Sequence, residues 1–331
     1  MWRIHNRTPY AAERNWIRDA RGMHAWVVAV QASFEIDRTG KLSLIEDQQP
    51  PILEPEYFGE PGASSLRLDS DLLAAKPGTD ILVEGSAIAP GGRPAATVEV
   101  TLRAGPLQKS LLVHGRRVYF EGPVGLSTTR PQPFVEQPIR YEYAFGGADL
   151  SSTDPTKQRI DERNPVGRGY PADSKLWSNT PAHVIESSTS SPSSGPAGFG
   201  AIDRGWKPRR ALAGTYDAAW LESKSPLLPD DYDARFAHCA PADQQFAKPM
   251  VGGERLGVLN MNLEGPIVFE LPHIDLAFTT RFGRRHRTHP GHLATVVIRP
   301  TERQVSLVWQ SSLSVPAPNL EALDETRIEE R

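Results

Sequence analysis

The feature of the sequence that most constrains its fold is a run of alternating apolar residues between Trp26 and Ile36. The apolar positions are Trp26, Val28, Val30, Ala32, Phe34 and Ile36, with Gln31, Ser33 and Glu35 between them. Because successive side chains of a β-strand point to opposite faces of the sheet, this period of two predicts a half-buried strand. A turn at residues 37–40 then predicts a return strand over residues 41–45.

Similar alternation recurs in two groups of residues, 26–145 and 256–310, which we interpret as two sheets that share one core. Within the first group, the short runs and Gly- and Pro-rich turns of residues 80–120 predict an antiparallel meander. The pattern predicts a mainly β fold with antiparallel sheets, either sandwich-like or as two β-rich subdomains. We expect a β-rich part (1–150), a loop-rich segment (151–255) and a second β-rich part (256–331), integrated into one domain.

The middle of the chain has a different character. Residues 146–205 are rich in Gly, Pro, Ser and Asp, and residues 186–196 (ESSTSSPSSGP) are of low complexity. One clear helix is predicted over residues 214–224, with Thr215 as its N-cap. The charged segment 319–331 is interpreted as a short helix or a frayed end.

Composition limits the classes of function. The net charge is −3 over 331 residues, so no global charge favours nucleic acid or a membrane surface as the partner. Cys239 is the only cysteine, which excludes an internal disulfide and a thiolate zinc site. The N-terminus does not have the pattern of a signal peptide, and no apolar stretch approaches 18 residues, so we expect a cytoplasmic protein.

Three of the nine histidines fall in one stretch of eight residues, RHRTHPGH (285–292). They are His286, His289 and His292. Their spacing allows zinc binding in a folded loop, which would indicate a metal-dependent hydrolase. The neighbouring arginines, which oppose a dication, are Arg281, Arg284, Arg285 and Arg287. Because residues 276–301 also contain no Asp or Glu, we interpret the stretch as an exposed basic hairpin loop that can bind an acidic surface.

No motif for nucleotide binding or nucleophilic catalysis is complete. NPVGRGY (164–170) is glycine-rich but lacks the GK[ST] ending of a P-loop, and GASSL lacks the second glycine of a nucleophile elbow. We therefore expect no catalytic residue and no cofactor. An alternative is a sugar- or small-ligand-binding β-domain whose pocket uses Trp177, Trp206 or Trp220.

Six loop motifs are more specific than any chemical signature in the chain. In order they are YFGEPGASSLRLDSDLLAAKPGTDILV (57–83), APGGRPA (89–95), YEYAFGG (141–147), NPVGRG (164–169), PAGFGAIDRGWKPR (196–209) and AGTYDAAWLESKSPLLPDDYDARFAHCAPADQ (213–244). Together they resemble the bacterial domain of unknown function 2169. The resemblance implies an effector-loading adaptor, or chaperone, of type VI secretion, which mounts a secreted effector on the VgrG spike and its PAAR-type tip. It implies no enzyme activity and carries no catalytic residues.

An adaptor needs exposed anchors, because a few aromatic and arginine residues usually dominate an interface. Residues 164–244 concentrate such side chains, together with aspartates able to pair with a basic surface. The predicted partner-binding residues are Arg168, Trp206, Arg209, Asp230, Asp231, Arg235, Arg284, Arg285 and Arg287. Trp220 is assigned to helix packing.

Overall fold

The alternating segment forms the longest strand of the protein, His24–Ile36, in a computed structural model. The structure describes residues 2–19, 21–123, 125–170, 178–191 and 195–331, and these are mainly β, as the sequence predicts. In chain order the strands are β1 Arg3–Asn6, β2 Ala11–Arg18, β3 His24–Ile36, β4 Leu42–Leu44, β5 Glu56–Tyr57, β6 Leu66–Leu68, β7 Thr79–Val83, β8 Ser86–Ile88, β9 Thr97–Ala104, β10 Leu107–His114, β11 Tyr119–Gly122, β12 Gly125–Thr128, β13 Glu136–Pro138, β14 Phe145–Gly146, β15 Ala148–Asp149, β16 Arg159–Ile160, β17 Arg168–Gly169, β18 Ile185–Ser187, β19 Gln245–Phe246, β20 Arg255–Leu259, β21 Ile267–Glu270, β22 Leu276–Phe282, β23 Arg285–Pro290, β24 His292–Arg299, β25 Gln304–Val315 and β26 Leu323–Glu330. The α-helix described is Ala218–Ser223, and the 3-10 helices are Pro90–Gly92, Tyr141–Tyr143, Pro155–Lys157, Arg209–Ala213, Ala234–Ala237, Ala242–Gln244 and Ala317–Asn319.

The largest sheet has seven strands in the order β19-β7-β24-β25-β3-β2, with β4 paired to β3. The β3–β4 pair confirms the predicted hairpin. β3 pairs antiparallel with β25, whereas β7 pairs in parallel with β24. A parallel neighbour cannot be reached through a tight hairpin, so it comes from a distant part of the chain. The interpretation of one sheet for each sequence group is therefore wrong, because both groups contribute strands to this sheet.

The second sheet has five strands in the order β18-β10-β9-β20-β21. Its β9–β10 hairpin is part of the antiparallel meander that the sequence predicts over residues 80–120. The rest of the expected 80–120 meander is divided among other sheets, since β7 lies in the seven-stranded sheet and β8 pairs with β13. β7 and β8 are separate strands, because residues 84–85 interrupt the ladder.

One hydrophobic core lies between the two large sheets, which gives a sandwich. From the seven-stranded sheet it contains Trp26, Val30 and Val296, and from the five-stranded sheet Val100 and Leu111, each at most 1% exposed. Burial of a side chain of this type contributes roughly 1.5–3 kcal/mol. The core therefore provides a rigid scaffold for the loops that surround it.

The opposite face of the seven-stranded sheet is also covered. Val27 and Ala29 of β3 pack with Leu72 and Val308, while Leu82 packs in a further cluster. The prediction of a half-buried β3 is therefore wrong. Its second face is buried because the loops that carry the sequence motifs lie across it.

A four-stranded sheet, β1-β26-β22-β23, contains the remaining long strands. β23 occupies residues that the sequence assigned to a basic loop, and it pairs along β22 from Ala277↔Pro290 to Phe282↔Arg285. β26 replaces the predicted terminal helix or frayed end, since Leu323, Thr326 and Ile328 are buried against its neighbours. Both predictions fail because pairing with β22 outweighs the polar composition of these segments.

The helix begins later than predicted. It spans Ala218–Ser223, and its N-cap is Asp217, whose carboxylate accepts a hydrogen bond from the backbone N–H of Trp220 at 2.9 Å. Thr215, the expected N-cap, is instead held by Asp231, which accepts hydrogen bonds from its backbone N–H and its hydroxyl. In the part of the chain that the structure describes, no helix combines the length and apolar character that a bilayer crossing requires.

Candidate functional site

Two of the sequence motifs converge on a buried carboxylate, Asp80, in the second strand from one edge of the seven-stranded sheet. Its Oδ1 accepts from Nδ1 of His238 at 2.6 Å, and its Oδ2 accepts from Nζ of Lys76 and from the backbone N–H of Cys239, both at 2.8 Å. Burial alone would raise the pKa of Asp80, but the Lys76 ammonium and the His238 imidazole hold it well below its usual range. We call Asp80, Lys76, His238, Cys239 and Thr295 the Asp80 network.

Lys76 ties this network to the sheet. Its Nζ also donates to the hydroxyl of Thr295 at 2.8 Å, and its backbone N–H donates to the side chain of Gln310 at 3.0 Å. Its carbonyl accepts from Nε2 of His292 at 2.7 Å. Although burial lowers the pKa of Lys76, the adjacent Asp80 carboxylate produces a net increase, so the ammonium is charged.

The Asp80 network contains a cysteine, a histidine and a carboxylate, the residue types of a nucleophilic site. Cys239 is 2% exposed, and burial raises the pKa of its thiol to about 12. The thiol is therefore protonated at neutral pH and is a weak nucleophile. The network is best suited to holding the loops that contain its members.

Sequence reasoning missed this network because its members are far apart in the chain; Asp80 and His238 are separated by 158 positions. A signal was present, since Lys76 and Asp80 are charged residues inside the otherwise apolar segment AAKPGTDILV. A charge at the start of a buried strand needs a partner from elsewhere in the fold.

Two predicted anchors lie in the interior. Arg209 is 4% exposed, forms an ion pair with Asp69, and donates to the carbonyls of Phe236 and Ile202 at 3.0 and 2.7 Å. Trp206 is 6% exposed and packs edge-on against Tyr141. Their assignment as exposed partner anchors is therefore corrected, because the fold itself uses their side chains.

The three clustered histidines have separate environments. His289 is buried, and its ring nitrogens lie 2.8 Å from the hydroxyl of Thr280 and 2.6 Å from that of Ser311. Burial, together with Arg287, lowers the pKa of His289 to about 4, so its ring is neutral at pH 7. His286 is exposed on β23, and His292 is bound to Lys76.

Zinc binding would require the three histidine side chains to converge on one point. The side chains of residues 286 and 289 in an extended strand point to opposite faces instead. The described residues contain no group of three His, Cys, Asp or Glu side chains placed to hold a metal ion. Arg284, Arg285 and Arg287 are exposed on β23 and its turn, so the predicted basic surface exists on a strand and not on a loop.

Residues 214–233, which we call the helix lobe, carry the most exposed large apolar side chains among the described residues of the segment 164–244. Tyr216 is 52% and Leu221 is 65% exposed. Trp220 holds the lobe together, because its indole N–H donates to the carbonyl of Leu227 at 2.9 Å and its ring contacts Tyr216. This supports the packing role assigned to Trp220.

The predicted charged anchors of the middle segment differ in accessibility. The Asp230 side chain is 87% exposed and pairs with Lys224, while Asp231 fixes Thr215 within the helix lobe. Arg235 is exposed and paired with Asp233. Arg168 is half-buried, with its guanidinium over the ring of Tyr143 at 4.8 Å.

Two cavities adjoin the Asp80 network. One, of about 550 Å³, is lined by Leu111, Tyr141, His238 and Pro241 among others. Neither Trp206 nor Trp220 lines either of these two cavities, and Trp177 lies outside the described residues. The second, of about 1030 Å³, is a groove over the outer face of the seven-stranded sheet.

The fold and these sites define a β-sandwich protein whose motif loops are fixed by buried ion pairs. Residues 21–310 match the model of a bacterial family described as an uncharacterized protein conserved in bacteria, DUF2169. The chain belongs to this family. Searches of curated proteins and of solved structures returned no match.

Proposed function

We propose that this protein is a non-catalytic cytoplasmic adaptor that binds a type VI secretion effector and helps to load it onto the VgrG spike or its PAAR-type tip. Family membership supports the proposal, because the motifs that identify the family are the ones that the sequence resemblance links to effector loading. The observation that carries it is the helix lobe, which has exposed apolar side chains and is held in shape by the hydrogen bond of the Trp220 indole.

The helix lobe has the composition of an interface centre. Single exposed apolar residues are common on soluble proteins, but Tyr216 and Leu221 lie within one short segment that also carries the accessible carboxylate of Asp230. Apolar and aromatic anchors surrounded by charge are typical of protein interfaces. The carboxylate would contribute to orientation more than to affinity.

The chemistry of the Asp80 network supports a binding role over a catalytic one. Its carboxylate is fully engaged by a lysine, a histidine and backbone N–H groups, and its cysteine is a protonated thiol. A catalytic site would need a group free to act on a substrate. The loops held by the Asp80 network instead offer a fixed surface to which another protein can bind.

A binding experiment with the effector encoded beside this protein tests the proposal. Leu221→Glu is expected to weaken binding at least tenfold, because it places a charge in the desolvated centre of the interface. Leu263→Glu is the matched control, since Leu263 is 67% exposed in the turn between β20 and β21. Equal binding by the two variants would contradict a role for the helix lobe.

The same assay distinguishes the second predicted surface. Asp230→Lys is expected to slow association and to change its salt dependence. If the Asp230 variant binds normally and Arg284→Glu with Arg285→Glu abolishes binding, the docking surface is β23 and not the helix lobe.

A further inference from the structure

The groove over the outer face of the seven-stranded sheet is a second surface with defined chemistry. Its floor includes side chains of β24 and β25, and one wall is the segment of residues 45–56, which we call the strap. The Gln48 side chain pins the strap to Ser33, accepting from its N–H at 2.8 Å and donating to its carbonyl at 3.0 Å. Further along, Ile52 and Asp71 exchange two hydrogen bonds of 2.8 Å.

The charges that line the groove are strongly unequal. Eight carboxylate side chains and three cationic side chains border it. Each cation already has a carboxylate partner: Arg67 and Arg299 pair with Glu84, and Lys76 pairs with Asp80. Other carboxylates of the groove have no ion pair among the described residues; they are Asp47, Glu54, Asp71 and Glu302. The groove therefore has unneutralised negative charge available to a ligand.

Asp71 is the unusual member of this set because it is only 5% exposed. Its Oδ2 accepts the Ile52 N–H, while its Oδ1 has no hydrogen-bond partner among the described residues. This oxygen is not one of the fully buried unpaired polar atoms of the described residues, so it is accessible from the groove. Since Asp71 lines the groove, a donor entering the groove can supply the missing bond.

We propose that this groove binds a lysine- or arginine-bearing segment of a partner polypeptide, with one cationic side chain bound to Asp71 and others to the strap carboxylates. The inference rests on the proposed function in one respect, namely that the partner is a protein. Apolar groups in the same groove favour a peptide over a free polyamine, since Leu53 is 56% exposed and Val297 and Val308 line the floor. The carboxylates are spread along the groove and do not converge as metal ligands do.

The probe is a fluorescein-labelled dodecapeptide of repeated Arg-Leu-Gly, compared with the same peptide carrying Glu in place of Arg. The intact protein is expected to bind the arginine peptide and not the glutamate peptide, with affinity that falls as salt rises. Asp71→Asn keeps an acceptor for the Ile52 N–H and removes the charge, so binding should weaken at least tenfold. Glu54→Gln with Glu302→Gln should weaken it about threefold, because these side chains are exposed.

The matched control is Glu121→Gln with Glu270→Gln, two exposed carboxylates outside the groove, and its affinity should stay within twofold of the parent protein. A photo-crosslinker in the peptide should label the strap. Unchanged binding by Asp71→Asn, labelling elsewhere, or displacement by spermine at equal affinity would overturn the proposal. The Leu221→Glu variant leaves the groove intact. Loss of effector binding in that variant and loss of peptide binding in the groove variants are therefore separate outcomes.

Discussion

Substitution of Asp71 by asparagine should stabilise the protein above pH 6. Burial is the largest influence on this carboxyl and raises its pKa to about 6, while Lys76 and the Ile52 N–H act in the opposite direction. Asp69 and Glu56 add to the increase. At neutral pH the folded protein therefore contains an ionised Asp71 in a buried environment that disfavours its charge.

The size of the effect follows from the two pKa values. A change from 3.8 in the unfolded chain to about 6 in the folded protein corresponds to about 3 kcal/mol, at 1.36 kcal/mol for each pH unit. Because the folded pKa is the higher one, the folded state binds the proton more tightly. The contribution of Asp71 to stability is therefore greatest below pH 3.8 and is lost as the pH rises through about 6.

Urea denaturation followed by tryptophan fluorescence measures this effect at pH 4.5, 6 and 8. We expect Asp71→Asn to match the parent protein within about 1 kcal/mol at pH 4.5 and to exceed it by about 1–3 kcal/mol at pH 8. Asp230→Asn, at an exposed position, should change stability by less than about 0.5 kcal/mol. A destabilised Asp71 variant at pH 8, or a difference independent of pH, would refute the reasoning.

Three further predictions concern buried groups. Lys76→Met should cost about 3–5 kcal/mol in denaturant titrations, because it leaves the Asp80 charge buried with too few partners. Cys239 should react with a thiol reagent at pH 8 about a thousandfold more slowly in the folded than in the unfolded protein, since its raised pKa suppresses the thiolate. The lowered pKa of His289 means that stability falls as the pH drops from 6.5 towards 4, so His289→Gln should lose stability less steeply over that range.

The sequence predicts those strands in which local pattern and burial agree. β3 and the β9–β10 hairpin are identifiable because alternation and turn residues act within a few positions. β23 and β26 are not, because polar residues form both strands and pairing with β22 determines their conformation. A single sequence contains no direct record of such pairing.

Prediction of the candidate site was limited for a related reason. Asp230 and the β23 arginines are exposed, as charged residue types predict. Arg209 and Trp206 also have the residue types of interface anchors, but they are buried. Residue type alone does not distinguish an anchor that binds a partner from one that binds its own loop. Asp71 and the groove depend on the path of the strap, which has no periodic signal.

The Asp80 network buries charged side chains, which is energetically unfavourable, so it should contribute something other than stability. Replacing a buried ion pair by well-packed apolar residues is often neutral or stabilising, so stability alone does not explain a buried lysine, aspartate and histidine. Hydrogen bonds are directional, and these fix the 66–80 and 235–245 segments against β24 at defined points. The same segments border the groove through Asp71 and Cys239 and the smaller cavity through His238. We infer that the network sets the position of the binding loops, a role that an apolar contact without directionality would perform less well.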